Sequence, residues 1–115
     1  MTEVTCLFCK LSGESSGEFV HQDERCVVLK DTNPQAPTHL LVIPREHLES
    51  LDDASQKDEP LLGHLLRVAA RVANDAGHGD SGYRTVINTG AGAGQSVFHL
   101  HVHVLAGRPM NWPPG

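Results

Sequence analysis

The segment GQSVFHLHVHVLAGRPM, residues 94–110, places three histidines at alternate positions in an otherwise apolar run. A period of two is typical of a β-strand, because successive side chains point to opposite faces of the sheet. The pattern predicts a strand over residues 98–105, with one face on the core and the other facing a cleft, a partner or a metal. The histidine face comprises His99, His101 and His103, and the apolar face comprises Leu100, Val102 and Val104.

Other parts of the chain predict the rest of the sheet and one helix. Runs rich in apolar and β-branched residues predict four further strands, over 18–21, 25–30, 39–43 and 83–88. Between the third and fourth runs, apolar residues recur at three- and four-residue spacing over 58–76, which predicts one long amphipathic helix. A sheet that carries such a helix on one face belongs to the α+β class.

Length and charge limit the classes of function. The chain has 115 residues, which fits a single domain over 1–115 with one core. It has 9 basic and 14 acidic residues, a net charge of −5, and no cluster of lysine or arginine, so DNA or RNA is not expected as a partner. No secretory signal or membrane span is predicted at the N-terminus. The three cysteines are too few for a disulfide framework, which favours a reducing, cytoplasmic location.

The pattern alone leaves three interpretations of the histidine face open. The histidines are satisfied structural side chains, or they chelate zinc, or one imidazole attacks phosphorus while its neighbours bind the phosphate oxygens. The last is chemically sound because free imidazole has a pKa of about 6.5 and is largely neutral and nucleophilic at pH 7. The preceding glycine-rich loop NTGAGAGQS, residues 88–96, favours it, since backbone N–H groups there can approach an anion closely.

Several segments together resemble one known family. They are GQSVFHLHVHVL, DTNPQAPTHLLVIPREHL, EPLLGHLL, GYRTVINTG and RPMNWPPG. They look like the histidine triad (HIT) superfamily and, within it, the Hint branch of nucleoside phosphoramidate hydrolases, over nearly the whole chain from Cys6 onward. The resemblance implies a HIT-like α+β fold with an antiparallel sheet of about five strands, one long helix, a short N-terminal helix and assembly as a homodimer.

The resemblance also implies catalytic roles. His101 matches the nucleophile, and His103 matches a ligand of the phosphate oxygens. His99 and His39 complete the histidine cluster that orients the nucleophile, while Ser96 contacts the phosphate or the leaving nitrogen. The implied reaction is hydrolysis of a purine nucleoside 5′-phosphoramidate or an aminoacyl-adenylate through a covalent nucleotidyl-histidine, which releases the nucleoside monophosphate and requires no catalytic cofactor.

A nucleotide-binding set follows from the same resemblance. Asp31 matches the acidic residue that holds the ribose hydroxyls, an apolar slot holds the base, and Asn88 and the backbone around Gln95 and Val97 face the phosphate. The slot is formed by Leu7, Phe8, Leu11 and Leu29. Two alternatives remain open: a nucleotide-binding scaffold protein with incidental activity, and a zinc-dependent hydrolase that uses the histidines as ligands.

The Cys-x-x-Cys pair near the N-terminus is ambiguous by itself, since it fits half a zinc site, a redox pair or coincidence. Some HIT-superfamily members that resemble this chain bind a structural zinc with such a pair and two histidines, which here implies Cys6, Cys9, His47 and His99. Cys26 is expected to be a small buried hydrophobe. The remaining histidines, His21, His64 and His78, are expected at ordinary surface positions.

Overall fold

In the part of the chain that the structure describes, the fold is a five-stranded antiparallel sheet with an α-helix on each face. The computed structural model describes residues 6–13 and 19–115. The strands are β1 His21–Gln22, β2 Cys26–Lys30, β3 Thr38–Pro44, β4 Arg84–Val86 and β5 Val102–Ala106. They pair in the order β1-β2-β3-β5-β4, all antiparallel, so that β5 inserts between β3 and β4. The predicted α+β class and HIT-like architecture are confirmed.

The long helix α2, Glu59–Asp75, covers one face of the sheet. Pro60 lies in its first turn, where its fixed φ angle suits the helix and its missing N–H costs no hydrogen bond. The buried stripe of α2 packs on alternate residues of the central strands and forms the main core. This core includes Leu65, Val68 and Val72 of the helix and Val28, Val42, Val102 and Val104 of the sheet.

The short helix α1, Leu7–Gly13, packs on the opposite face. Phe8 is buried there against the other set of alternate strand residues, Val27, Leu41 and Ile43. Because α1 has only two turns, it covers one end of this face and leaves the rest open. Among the described residues, no helix has the length and apolar character needed to cross a bilayer.

The strand predicted over residues 98–105 is shorter in the structure. β5 begins at Val102, whereas the prediction placed its start at residue 98. The physical reason is a change of partners: ladder pairing with β3 ends at Val42 and Val102, and the segment before Val102 bonds to the last residue of β3 and to the chain that follows it. The N–H of Leu100 donates to the carbonyl of Leu48 at 2.6 Å, and His99 Nε2 donates to the carbonyl of Pro44 at 2.8 Å.

The other predicted elements keep their identity with small shifts in bounds. The first predicted strand, 18–21, becomes β1 at His21–Gln22, and residue 18 lies outside the described residues. The fourth, 83–88, shortens to Arg84–Val86. Cys26 is fully buried at the start of β2, as predicted.

Candidate active site

A cavity of about 590 Å³ opens on the α1 face of the sheet. It lies between α1, the end of β2 with the turn that follows, and the loop that enters β5. Ten of the predicted site residues line it, although they are spread over almost the whole chain. They are Leu7, Phe8, Leu11, Leu29, Asp31, His39, Ser96, Val97, His101 and His103.

His101 is oriented by the backbone of its own segment. Its Nδ1 donates to the carbonyl of His99 at 2.7 Å, and the residue is only 9% exposed. The ring of Phe8 meets the imidazole edge-on, with ring centroids 5.0 Å apart. Because a neutral imidazole carries one proton, a proton on Nδ1 leaves the lone pair on Nε2. His101 therefore has one fixed nitrogen and one nucleophilic nitrogen.

A second chain of hydrogen bonds sets the proton positions on His39 and His103. The backbone N–H of Gln35 donates to His39 Nδ1 at 3.0 Å, so the proton of a neutral His39 lies on Nε2. That Nε2–H donates to Nδ1 of His103 at 2.9 Å. A neutral His103 then carries its own proton on Nε2. The cavity thus holds a hydrogen-bond donor on His103 next to a lone pair on His101, whose ring centroids are 4.9 Å apart.

Burial favours the neutral forms of His39, His99 and His103. Removal from water lowers the pKa of His103 from 6.5 to about 4, and the neighbouring His101 and His39 add to the effect. Burial also lowers the pKa of His39, against the opposing charge of Asp31, and lowers the pKa of His99. At neutral pH, His103 therefore acts as a neutral donor and not as a fixed cation.

Asp31 brings the carboxylate to the rim of the cavity. Its Oδ1 accepts the backbone N–H of Asn33 at 2.8 Å, and its Oδ2 lies 3.3 Å from His39 Nε2. The side chain is 19% exposed, so one edge of the carboxylate is open to a ligand. A carboxylate that accepts from a turn amide stays in place and can accept two hydroxyl donors.

The glycine-rich loop places Ser96 at the cavity. Gly90 and Gly94 have φ angles of +88° and +95°, a conformation that side-chain-bearing residues rarely adopt. Gly94 and the exposed Ser96 line the cavity, so a hydroxyl and backbone groups lie beside the histidines.

Three of the residues predicted for catalysis or nucleotide binding do not line the cavity: Asn88, Gln95 and His99. Asn88 is half-buried and lies outside the set of residues that line the cavity. Gln95 is 4% exposed, and its side chain forms hydrogen bonds within and beside the loop. Its Oε1 accepts the N–H of Gly90 at 2.8 Å, and its Nε2 donates to the carbonyls of Glu49 and Val97. Its own N–H donates to the carbonyl of Gly90 at 3.1 Å. Gln95 thus shapes the loop from within.

His99 belongs to a second cluster, behind the cavity, with Cys6, Cys9 and His47. One ligand atom from each residue lies within 4.8 Å of all the others. His99 Nδ1 lies 3.4 Å from both sulfur atoms and 3.1 Å from His47 Nδ1, and Cys9 Sγ lies 3.0 Å from His47 Nδ1. The four residues predicted for a zinc site are therefore brought together.

The hydrogen bond from His99 Nε2 to Pro44 tests whether this cluster fits a metal. Because that nitrogen donates to a carbonyl, the lone pair of a neutral His99 lies on Nδ1 and points at the two sulfurs and at His47. A carbonyl acceptor behind a ligating histidine is the usual support of a zinc ligand. Two thiols and two imidazoles also form a standard closed zinc set. The residues fit zinc.

Sequence reasoning missed the surroundings of two histidines. His21 and His64 were expected at ordinary surface positions, but both are half-buried, and each Nε2 lies 2.8 Å from Oδ2 of Asp23. They are 43 residues apart in the chain, on a strand and on a helix, so no local pattern joins them. His78 bonds to Thr38 Oγ1 through Nε2 at 2.9 Å.

Residues 12–110 match the model of the HIT domain family. The chain belongs to the histidine triad (HIT) family. The histidines at 99, 101 and 103 lie within the matched residues.

Relatives of this HIT chain match it over most of its length. A HIT-like protein of Synechocystis is 50% identical over 115 residues, 100% of both chains. The 14 kDa zinc-binding protein of Zea mays is 51% identical over 104 residues, which cover 89% of this chain and 80% of that protein. The crystal structure of a HIT family hydrolase from Legionella pneumophila has a TM-score of 0.90 and 44% identity, and covers 96% of this chain and 99% of that one.

The depressed pKa of His103 predicts acid sensitivity. The unfolded chain binds a proton near pH 6.5 and the folded chain only near pH 4, so this residue's contribution is complete above 6.5 and is lost as the pH falls to 4. We expect the free energy of unfolding of His103→Gln to depend less on pH across that window, by about 3 kcal/mol. Urea unfolding at several pH values measures it, with His78→Gln as the control. Parallel pH profiles for His103→Gln and wild type would contradict the assignment.

Proposed function

We propose that the protein hydrolyses purine nucleoside 5′-phosphoramidates or aminoacyl-adenylates through a covalent nucleotidyl-histidine on His101. The observation that carries the proposal is the bond from His101 Nδ1 to the His99 carbonyl, which leaves Nε2 as the nucleophilic nitrogen of a residue that lines the cavity. Similarity to the HIT family hydrolase of Legionella pneumophila supports a hydrolytic reaction.

In the first step, His101 Nε2 attacks the α-phosphorus. A bond forms from Nε2 to phosphorus, the bond from phosphorus to the leaving group breaks, and the leaving group departs with the electron pair and, for an amine, a proton from solvent. The ring becomes cationic as the new bond forms, and the His99 carbonyl at 2.7 Å stabilises the Nδ1–H that shares the positive charge. Ser96 supplies the hydroxyl that hydrogen-bonds to the leaving atom.

His103 binds the phosphoryl oxygens during this step. Its Nδ1 accepts from His39, so its Nε2–H is the donor left for an anionic oxygen. A preorganised donor beside the reacting phosphorus stabilises the charge that develops there. His39 is a positioning residue, because it fixes the proton on His103 and is itself fixed by the amide of Gln35.

In the second step, water attacks phosphorus and the bond to His101 Nε2 breaks. The nucleoside monophosphate leaves, the proton of the attacking water passes to solvent, and the imidazole returns to its neutral form. A cationic phosphorylated ring is a good leaving group, which makes the covalent intermediate short-lived.

The remaining residues of the cavity are chemically suited to bind a nucleoside. Leu7, Leu11 and Leu29 give an apolar wall for a base, and Asp31 offers a carboxylate for a ribose diol. The wall offers little polar contact to distinguish one purine from another, so base selectivity is expected to be loose.

Zinc is assigned a structural role in this proposal, at Cys6, Cys9, His47 and His99. Zinc bound by these four residues supplies a cross-link between α1 and the segment before β5. Similarity to the 14 kDa zinc-binding protein of Zea mays supports the proposal that this chain binds zinc. With four protein ligands, such a site has no open position for substrate.

A zinc-dependent hydrolase is the second candidate, because ligand atoms of Asp31, His39 and His103 also lie within 4.8 Å of one another. Two of those atoms, His39 Nε2 and His103 Nδ1, already bond to each other at 2.9 Å. The nucleotidyl-histidine mechanism predicts turnover that persists on chelation, whereas the zinc-dependent hydrolase predicts its loss.

A nucleotide-binding scaffold is the third candidate, and it predicts no turnover that depends on His101.

Replacement of His101 by alanine is the decisive experiment. We expect steady-state hydrolysis of adenosine 5′-phosphoramidate to fall at least about 10³-fold, because the attacking atom is deleted. Binding of adenosine monophosphate should remain measurable, since the apolar wall and Asp31 are intact. His78→Ala is the control, as His78 lies outside the cavity. Equal turnover in His101→Ala and wild type would reject the nucleophile.

Removal of the zinc ligand Cys9 should separate stability from chemistry. In Cys9→Ser we expect one equivalent of zinc to be lost and the protein to be destabilised by about 3 kcal/mol at free zinc a hundredfold above its Kd. Lys10→Ser, a neighbouring exposed position on α1, should retain the metal. Turnover of wild type in a strong chelator, at a temperature where the protein stays folded, should persist. Its complete loss on chelation would favour the zinc-dependent hydrolase.

We also propose the homodimer implied by the family resemblance. The features that support it are Trp112, 83% exposed, Leu66 on α2, 48% exposed, and β4, which lies at one edge of the described sheet. An exposed strand edge and exposed large apolar side chains favour association. Light scattering coupled to size-exclusion chromatography should give twice the mass of one chain, and a single-chain mass at micromolar concentration would contradict the dimer.

A further inference from the structure

A second cluster of metal-ligating side chains lies at the β1 edge of the sheet, away from the cavity. His21 is in β1, Asp23 in the turn that follows, Cys26 at the start of β2, and His64 on α2. None of these four residues lines the candidate active site. The mechanism proposed above uses none of them.

Asp23 is at the centre of this cluster. Its Oδ2 lies 2.8 Å from Nε2 of His21 and 2.8 Å from Nε2 of His64. Its Oδ1 accepts the backbone N–H groups of Arg25 and Cys26, at 2.7 and 2.9 Å. The turn therefore fixes the carboxylate through one oxygen and directs the other oxygen at the two imidazoles.

Cys26 brings a sulfur atom to the same oxygen. Its Sγ lies 3.6 Å from Asp23 Oδ2 at a fully buried position. One ligand atom each from His21, Asp23 and Cys26 lies within 4.8 Å of the other two. Ligand atoms around a tetrahedral zinc ion are about 3.3–3.8 Å apart, so small side-chain movements bring these atoms to that spacing.

We propose that His21, Asp23 and Cys26, completed by His64, form a second binding site for a transition-metal cation such as Zn²⁺. The donor set decides the class of metal. Imidazole and thiolate ligands select zinc and its neighbours in the first transition row, whereas magnesium and calcium take oxygen ligands.

Binding changes the proton positions in a balanced way. Each histidine presents an unprotonated Nε2 to the metal and carries its single proton on Nδ1. Cys26 binds as a thiolate and releases its proton to solvent. The negative charges of Asp23 and of that thiolate then balance the two positive charges of the cation.

The cluster is open to solvent on one side. The side chains of His21, Asp23 and His64 are 23%, 26% and 28% exposed, and they border a surface cavity of about 490 Å³. Arg67 and Arg71 also line this cavity. Their positive charge opposes entry of a cation, so affinity must come from direct ligation.

The test is a cobalt titration of the full-length Cys6→Ser/Cys9→Ser variant, which lacks both thiols of the first cluster. Cys26 is then the only cysteine of the chain, so any sulfur-to-cobalt charge-transfer absorption reports on it. We expect one equivalent of Co²⁺ with that absorption. His21→Gln or His64→Gln in this background should raise the Kd at least about tenfold, and the matched His78→Gln should leave it unchanged.

Two results would overturn the proposal: no cobalt-thiolate absorption in the double variant, or an unchanged Kd in His21→Gln or His64→Gln. If the double variant does not fold, zinc content of the otherwise wild-type chain decides the matter, as two equivalents should fall to one in His21→Gln. An unchanged content in His21→Gln would refute the site. Hydrolysis of adenosine 5′-phosphoramidate by His21→Gln should equal that of wild type, so the outcome is independent of the function proposed above.

Discussion

The antiparallel register of β3 against β5 is the constraint on which both the core and the candidate site depend. Leu41 lies opposite His103, and Leu40 lies opposite Val104. Directly opposed residues share a face, so the register places the histidines on the α1 side and the valines under α2. A slip by one residue on β5 would bury His103 in the main core and expose two valines to the cavity. Hydrophobic burial therefore holds the site in register.

His99 contributes to both the Cys/His cluster and the candidate active site. Its side chain is fully buried between Cys6, Cys9 and His47, and its carbonyl accepts from His101 Nδ1. One residue thus belongs to two sites, through its imidazole in one and its backbone in the other. The two roles are separable: the carbonyl of position 99 does not depend on which side chain is present, whereas the metal cluster does.

Local patterns predicted most of the fold. The alternation at residues 98–105, the helical stripe before Gly77 and the family resemblance gave the α+β class, the five strands and the two helices. They did not give the start of β5 at Val102, because the departure of residues 98–101 depends on bonds from Leu100 to Leu48 and from His99 to Pro44. These bonds join segments about 50 residues apart, and no period within one segment encodes them.

The candidate site, like the fold, was predicted only in part from the sequence. The residues that line the cavity include ten that were named from the resemblance, but the sequence did not reveal that Gln95 is used inside its loop. Nor did it reveal the Gln35 amide that fixes His39. The Asp23 cluster was missed because its histidines come from β1 and α2, which only the packed sheet and helix bring together.

The helix α1 supplies apolar residues to the cavity of the candidate active site and Cys9 to the Cys/His cluster. Two ligands that contact one element are thermodynamically linked when the binding of one orders that element for the other, and such linkage is reciprocal. Any factor by which zinc at Cys9 strengthens nucleotide binding is then the factor by which nucleotide strengthens zinc binding. The occupancy of one ligand would thereby become a readout of the concentration of the other.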